Sequence, residues 1–80
     1  MNEKDMIEML EHFKVPKWMF DGRLSNPTSE WQIHEVEDGY TLFFVERYER
    51  RQEYTATYLS DVFAHALGLC LVERYERKLL

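Results

Sequence analysis

The feature that most constrains this chain is the dipeptide Asp38-Gly39 set between two runs of alternating apolar and polar residues, 30–37 and 40–47. Such a pair between alternating strands is a strong hairpin signal, because a two-residue type I′ turn needs positive φ at both central positions. A turn centred on Asp38-Gly39 places Ile33 opposite Phe44, Glu35 opposite Leu42 and Trp31 opposite Glu46. One face then carries Trp31, Ile33, Tyr40, Leu42 and Phe44, and is the expected core face. The other carries Gln32, His34, Val36, Thr41, Phe43 and Val45. This second face is mixed, and either the preceding loop or a partner is expected to cover Phe43 and Val45.

The elements around the hairpin follow from period and punctuation. Residues 3–14 repeat Met6, Met9/Leu10 and Phe13 at helical spacing, with Ile7 widening the stripe. Asn2 is a suitable cap, Glu3 and Asp5 suit the positive end of the helix dipole, and Pro16 ends the run. Residues 16–29 read as a loop with turn signals at Asp21-Gly22 and Ser25-Asn26-Pro27-Thr28-Ser29, in which Trp18 and Phe20 are expected to pin the loop to the core. Residues 52–59 are rich in β-formers and read as a third strand, with Tyr54, Ala56 and Tyr58 on one face. Its approach through Glu49-Arg50-Arg51 lacks Gly, Asn or Pro, so that turn is weakly specified.

Ser60 as cap and Asp61 in the first turn open a helix over 61–78. Apolar residues cover much of its circumference from Val62 to Val72, so it should lie on the sheet and also meet a second neighbour, either the first helix or another subunit. Gly68 costs a helix about 1 kcal/mol relative to Ala, and a close backbone approach would account for it. The fold class is therefore α+β. One domain with the order α-β-β-β-α is expected, its N- and C-terminal helices on one face of a three-stranded antiparallel sheet.

The hexapeptide Val45-Glu-Arg-Tyr-Glu-Arg50 recurs as Val72-Glu-Arg-Tyr-Glu-Arg77. In the last helix Glu73 and Arg77 make an i,i+4 pair in the favourable order. The first copy reads as a strand end and turn, or alternatively as helix, since Glu46 and Arg50 share that spacing. Two copies make no solenoid.

Composition narrows the function classes. At 80 residues and 45% hydrophobic, the chain is one small domain and too apolar to be disordered. Its net charge of −5 sits in residues 1–38, which hold nine acids and four bases, while 39–80 hold six of each. That distribution argues against nucleic acid, which favours a basic face, and suits a basic protein partner. Cys70 is the single cysteine, so no internal disulfide forms and a reducing compartment is expected. The polar start Met1-Asn2-Glu3-Lys4-Asp5 lacks the pattern of a signal peptide, and the longest apolar stretch is too short to span a membrane. A cytoplasmic location is the default.

The chemistry-bearing residues form no recognised motif. His12, His34 and His65 lack the spacing of a zinc site, and one cysteine builds no multi-cysteine site. Cys70 and His65 stand about 140° apart on a helix, a poor geometry for a nucleophile–base pair. The glycines at 22, 39 and 68 form no phosphate loop. No cofactor or metal is expected, and a catalytic role is not. Glu35, Glu37 and Asp38 cluster at the hairpin tip, either as a solvated turn or as an acidic contact patch, with Asp21 and Glu30 as further candidate contact acids. Val62, Leu69, Val72 and Leu79 on the last helix are candidates for a self-association seam and a homodimer.

The segments Trp31-Gln-Ile, Asp38-Gly-Tyr, Phe43-Phe-Val-Glu-Arg47 and Thr57-Tyr-Leu-Ser-Asp61 together resemble small bacterial immunity proteins of the polymorphic-toxin kind. That family usually has Gly after Glu-Arg, where this chain has Tyr48. The resemblance implies stoichiometric inhibition of a cognate toxin, with acidic residues covering a basic active site. The alternative class is a homo-oligomeric structural or phage-encoded accessory protein that associates through its last helix.

Overall fold

The structure, a computed structural model, describes residues 1–77. The expected order is observed: helix α1 (Glu3–His12), strands β1 (Trp31–Val36), β2 (Gly39–Glu46) and β3 (Glu49–Ala56), then helix α2 (Leu59–Glu76). The sheet is antiparallel in the order β1-β2-β3.

Both ends of α1 are closed by local chemistry. The Asn2 side chain accepts from the Asp5 backbone N–H at 3.0 Å, and Asp5 accepts from the Asn2 N–H at 3.1 Å, a reciprocal capping box. The helix ends at His12, short of the expected residue 14, and Pro16 is not what stops it. Val15 donates to the Leu10 carbonyl and Lys14 to the Glu11 carbonyl, while Lys14 takes φ 58°. This is a Schellman closure with Lys14 where glycine is usual, and it buries Val15 beside Leu10.

The hairpin keeps its faces but not its expected register. Trp31 pairs with Phe44, Ile33 with Leu42 and Glu35 with Tyr40, so every partner lies two residues from the sequence expectation. The turn residues are Glu37 and Asp38, neither with positive φ, and Gly39 opens β2 at φ 155°. Side chains alternate with period two, so a displacement by two preserves which residues face the core. The space explains the glycine. A Cβ at Gly39 would lie 2.4 Å from the Ala56 carbonyl oxygen, at the end of the neighbouring β3.

The second turn uses the mirror-image conformation expected at the first. Arg47 and Tyr48 take φ 49° and 72°, the type I′ pattern without a glycine. The third strand therefore starts at Glu49 and ends at Ala56, earlier than the expected 52–59, and Tyr58 caps α2 instead of extending the strand. The helix alternative for 45–52 is overturned, because Val45–Arg50 is strand, turn and strand. Glu53 forms a bulge, since Leu42 pairs with Tyr54 and Phe43 with Gln52.

Helix α2 begins at Leu59, before the expected Ser60 cap, and its cap residue Tyr58 makes no side-chain hydrogen bond. It crosses the sheet on the diagonal. His65 stacks on Tyr54 of β3 at 4.3 Å, and farther along Glu73 accepts the Trp31 indole N–H from β1 at 3.1 Å. Val62, Phe63, Ala66, Leu67 and Cys70 bury against Ile33, Leu42 and Trp31, and α1 adds Met6 and Leu10 to the same core. Arg74, buried on α2, donates to the Phe13 carbonyl at the negative end of the α1 dipole. Of the aromatic loop pair, Phe20 is buried as expected, whereas Trp18 is 48% exposed beneath the Arg77 guanidinium.

Gly68 does not mark a close approach. It is exposed, and a Cβ there meets nothing within 4 Å. Gly68→Ala should stabilise the fold by about 1 kcal/mol through helix propensity alone. Tyr48→Gly should add up to about 1 kcal/mol by relieving positive φ on a side-chain-bearing residue. Urea unfolding midpoints with unchanged slopes would report both gains.

Candidate binding surfaces

The diagonal path of α2 covers one face of the sheet and leaves the other open. That outer face carries His34, Phe43, Val45, Thr41, Arg50 and Gln52. The Arg50 guanidinium lies over the Phe43 ring at 4.7 Å, and His34 meets the same ring edge-on at 5.3 Å. Gln32 is buried, donates to the Ser29 carbonyl at 3.0 Å and accepts from His34 Nε2 at 3.0 Å. Thr41 and Thr55 hydroxyls join across the strands at 3.2 Å. Phe43 and Val45 are only half-buried, and Val36 is 41% exposed beside the β1–β2 turn. The loop does not cover them. It runs instead along the outer edge of β1, where Ser25 donates to the Ile33 carbonyl and Trp31 to the Met19 carbonyl.

The acidic candidates separate by environment. Glu35, Glu37 and Asp38 are exposed at the β1–β2 turn, next to Val36. Asp21 is not a surface acid. It is buried and accepts from the Arg23 backbone at 3.0 Å, from the Arg23 side chain at 2.9 Å and from Asn26, so its role is to organise the loop. Glu30 is withdrawn too, being half-buried behind Arg77 at 3.8 Å. Burial raises its carboxyl pKa above the usual range against the pull of Arg77, and neighbouring Glu73 adds to the rise. Sequence reasoning missed that both acids face basic groups on the chain itself, since Arg77 is far from Glu30 in sequence.

The self-association candidates need a similar correction. Val62 is fully buried and Leu69 half-buried against the core, while Val72 is 57% exposed. Leu79 lies outside the described residues. The outward face of α2 carries instead Ala64, Gly68, Val72 and Tyr75, the last 74% exposed.

Two further features were not foreseen. Because α2 leaves the corner of the sheet near the second turn, Phe44, Glu46, Arg47, Glu49 and Arg51 line an open groove of about 380 Å³. Arg51 is held there by Glu53 at 2.6 Å and stands over Phe44. The free edge of β3 is the second feature. It is blunted by Glu49, Arg50, Arg51, Glu53 and the bulge, devices that discourage strand addition.

The residues of possible chemistry are dispersed. Cys70 is fully buried, and burial, followed by the nearby Glu73 and Glu30 charges, pushes its thiol up to about 12. His65 is exposed at the flank of α2, stacked on Tyr54 and away from the buried Cys70. Among the described residues no group of three or more His, Cys, Asp or Glu could hold a metal ion. None of their helices is long and apolar enough to cross a membrane. No protein-family model matches the chain, and neither a curated protein nor a solved structure matches it.

Two measurements check this description. Iodoacetamide should leave Cys70 of the folded protein unlabelled at mildly alkaline pH and label it fully in urea, because the thiolate is absent from the buried site. The second concerns His34, whose pKa is lowered by burial first and by Arg50 second. The unfolded chain then binds the proton more readily, so stability present above the unfolded value, roughly pH 6.5, declines as the pH falls below it. Thermal melts between about pH 7.5 and 5.5 should show a steeper loss for the wild type than for His34→Gln.

Proposed function

We propose that this chain is a protein-binding domain that neutralises a basic protein partner through the outer face of its sheet and the acidic turn beside it. The observation that carries this reading is that the outer face leaves Phe43 and Val45 half-buried and Val36 41% exposed, with the exposed acids Glu37 and Asp38 beside Val36. An apolar centre with a charged rim is the usual anatomy of a protein interface, the centre supplying burial and the rim orienting encounter. Asp21 and Glu30 face arginines of the same chain, whereas Glu37 and Asp38 have no cation within 4.0 Å among the described residues. The turn acids therefore remain free to meet a foreign basic group. Inhibition of a toxin of the kind suggested by the sequence resemblance fits this arrangement and a cytoplasmic location.

Affinity capture from the source cell tests the surface. A basic protein should be retained by the wild type and bound at least ten-fold more weakly by Glu37→Lys/Asp38→Lys, with circular dichroism unchanged. Full retention by that variant overturns the proposed surface.

The second reading is a homo-oligomeric accessory protein. It is favoured by the stretch Val62–Val72, which carries no Asp, Glu, Lys or Arg and leaves Ala64, Gly68 and Val72 facing outward. Val72→Glu distinguishes the two, since it should leave capture of the basic partner intact and dissociate an α2-mediated oligomer.

A further inference from the structure

We infer that the outer sheet face also pairs with itself, a second copy of this chain docking face to face about a twofold axis that runs across the strands. The inference rests on the reading of that face as the binding surface and names one occupant for it.

The face is polar along its length. At the Gly39 end of β2 stand Glu37 and Asp38, exposed in the turn. Toward the Glu46 end stands Arg50, laid over Phe43 and without a carboxylate partner within 4.0 Å among the described residues. Between these ends lie Gln32, His34 and Thr41, while Phe43 lies beneath Arg50 and Val45 pairs with Arg50 across the strands, both half-buried. The acids near the Arg50 end do not cancel it, because Glu46 and Glu49 line the groove on the opposite side of the sheet. A twofold axis across the strands reverses β2 of the second copy. It thereby sets the acidic end of each copy against the basic end of the other, twice per dimer. An axis along the strands would set acid on acid.

The other surfaces suit a second copy less well. The edge of β3 is charged and bulged. On α2, a twofold through Gly68 would set Asp61 opposite Tyr75 and Ser60 opposite Glu76 of the second copy, pairing no charge with its opposite.

Three strands spaced about 4.8 Å apart and roughly 20 Å long offer a face of about 300 Å², or about 600 Å² for the pair, below the roughly 1,200 Å² at which stable interfaces begin. The dimer is therefore weak, with a dissociation constant of about 10 μM or higher, and most sensitive to its charge pairs.

Sedimentation equilibrium of the full chain over a wide concentration range, at low and high ionic strength, tests this. The wild type should show a concentration-dependent dimer that weakens at least ten-fold at high salt. Arg50→Glu alone and Glu37→Arg/Asp38→Arg alone should each be monomeric. Mixed in equal amounts they should form a heterodimer, because a copy acidic at both ends then meets one basic at both ends. A wild type monomeric throughout, a dimer insensitive to both variants, or no heterodimer on mixing overturns the inference. So does a dimer lost in Val72→Glu and kept in Arg50→Glu, which places the second copy on α2. If the wild type is monomeric yet Glu37→Lys/Asp38→Lys loses the captured basic protein, the binding surface stands and only self-pairing fails.

Discussion

The diagonal contact between α2 and the sheet is the constraint on which the rest of the molecule depends. One helix is too narrow to cover three strands, so its direction decides what stays wet. By starting over Tyr54 and ending at Trp31, α2 buries Ile33 and Leu42 at the centre and leaves the β2–β3 corner as a groove. The indole–carboxylate bond between Trp31 and Glu73 anchors the far end of that path. Arg74 then ties the same helix to the last carbonyl of α1, which makes the N-terminal helix an annex of α2. Few partners hold the architecture, as expected for a short chain with one core.

Burial and charge are divided between the two faces in a way that bears on function. The inner face takes the side chains that fill volume, and the outer face keeps Phe43 half-buried beneath the Arg50 guanidinium and edge-on to His34, with Val45 half-buried beside it. The chain thus retains apolar surface at one place and exposed acids at its border, while Asp21 and Glu30 are turned toward arginines of the same chain. A surface of that kind suits recognition, because association there removes Phe43 and Val45 from water without disturbing the core.

How much was legible in the sequence differs by level. Alternation identified the core face of the hairpin correctly, because face depends only on parity. Register was not legible: Asp38-Gly39 pointed to a turn centred on that pair, but the turn falls at Glu37-Asp38, and Gly39 lies in β2 where the end of β3 approaches too closely for a side chain. Among the site residues, the turn acids were recognisable as exposed. Asp21 and Glu30 were not recognisable as occupied, since their partners are set by loop folding and by the end of a distant helix. Val62 was placed outside for a related reason. A helix apolar all round gives no periodic signal to say which side meets the sheet.

The hexapeptide Val-Glu-Arg-Tyr-Glu-Arg shows where the division falls. By itself it is compatible with helix, and at 72–77 it lies in α2 and its C-cap, where Glu73 and Arg77 meet at 2.6 Å. At 45–50 the same residues bend through a turn, with Glu46 lining the groove and Arg50 over Phe43. The preceding strand decides this, because β2 is already paired with β1 and its next gain is to pair with β3. Composition and period determined the order of the elements and the inner face of the hairpin, since each follows from local repetition, but left 45–50 open between turn and helix. Tertiary structure decided register, the free acids and the exposed side of α2, because these depend on which distant backbone or charge occupies the space beside a residue.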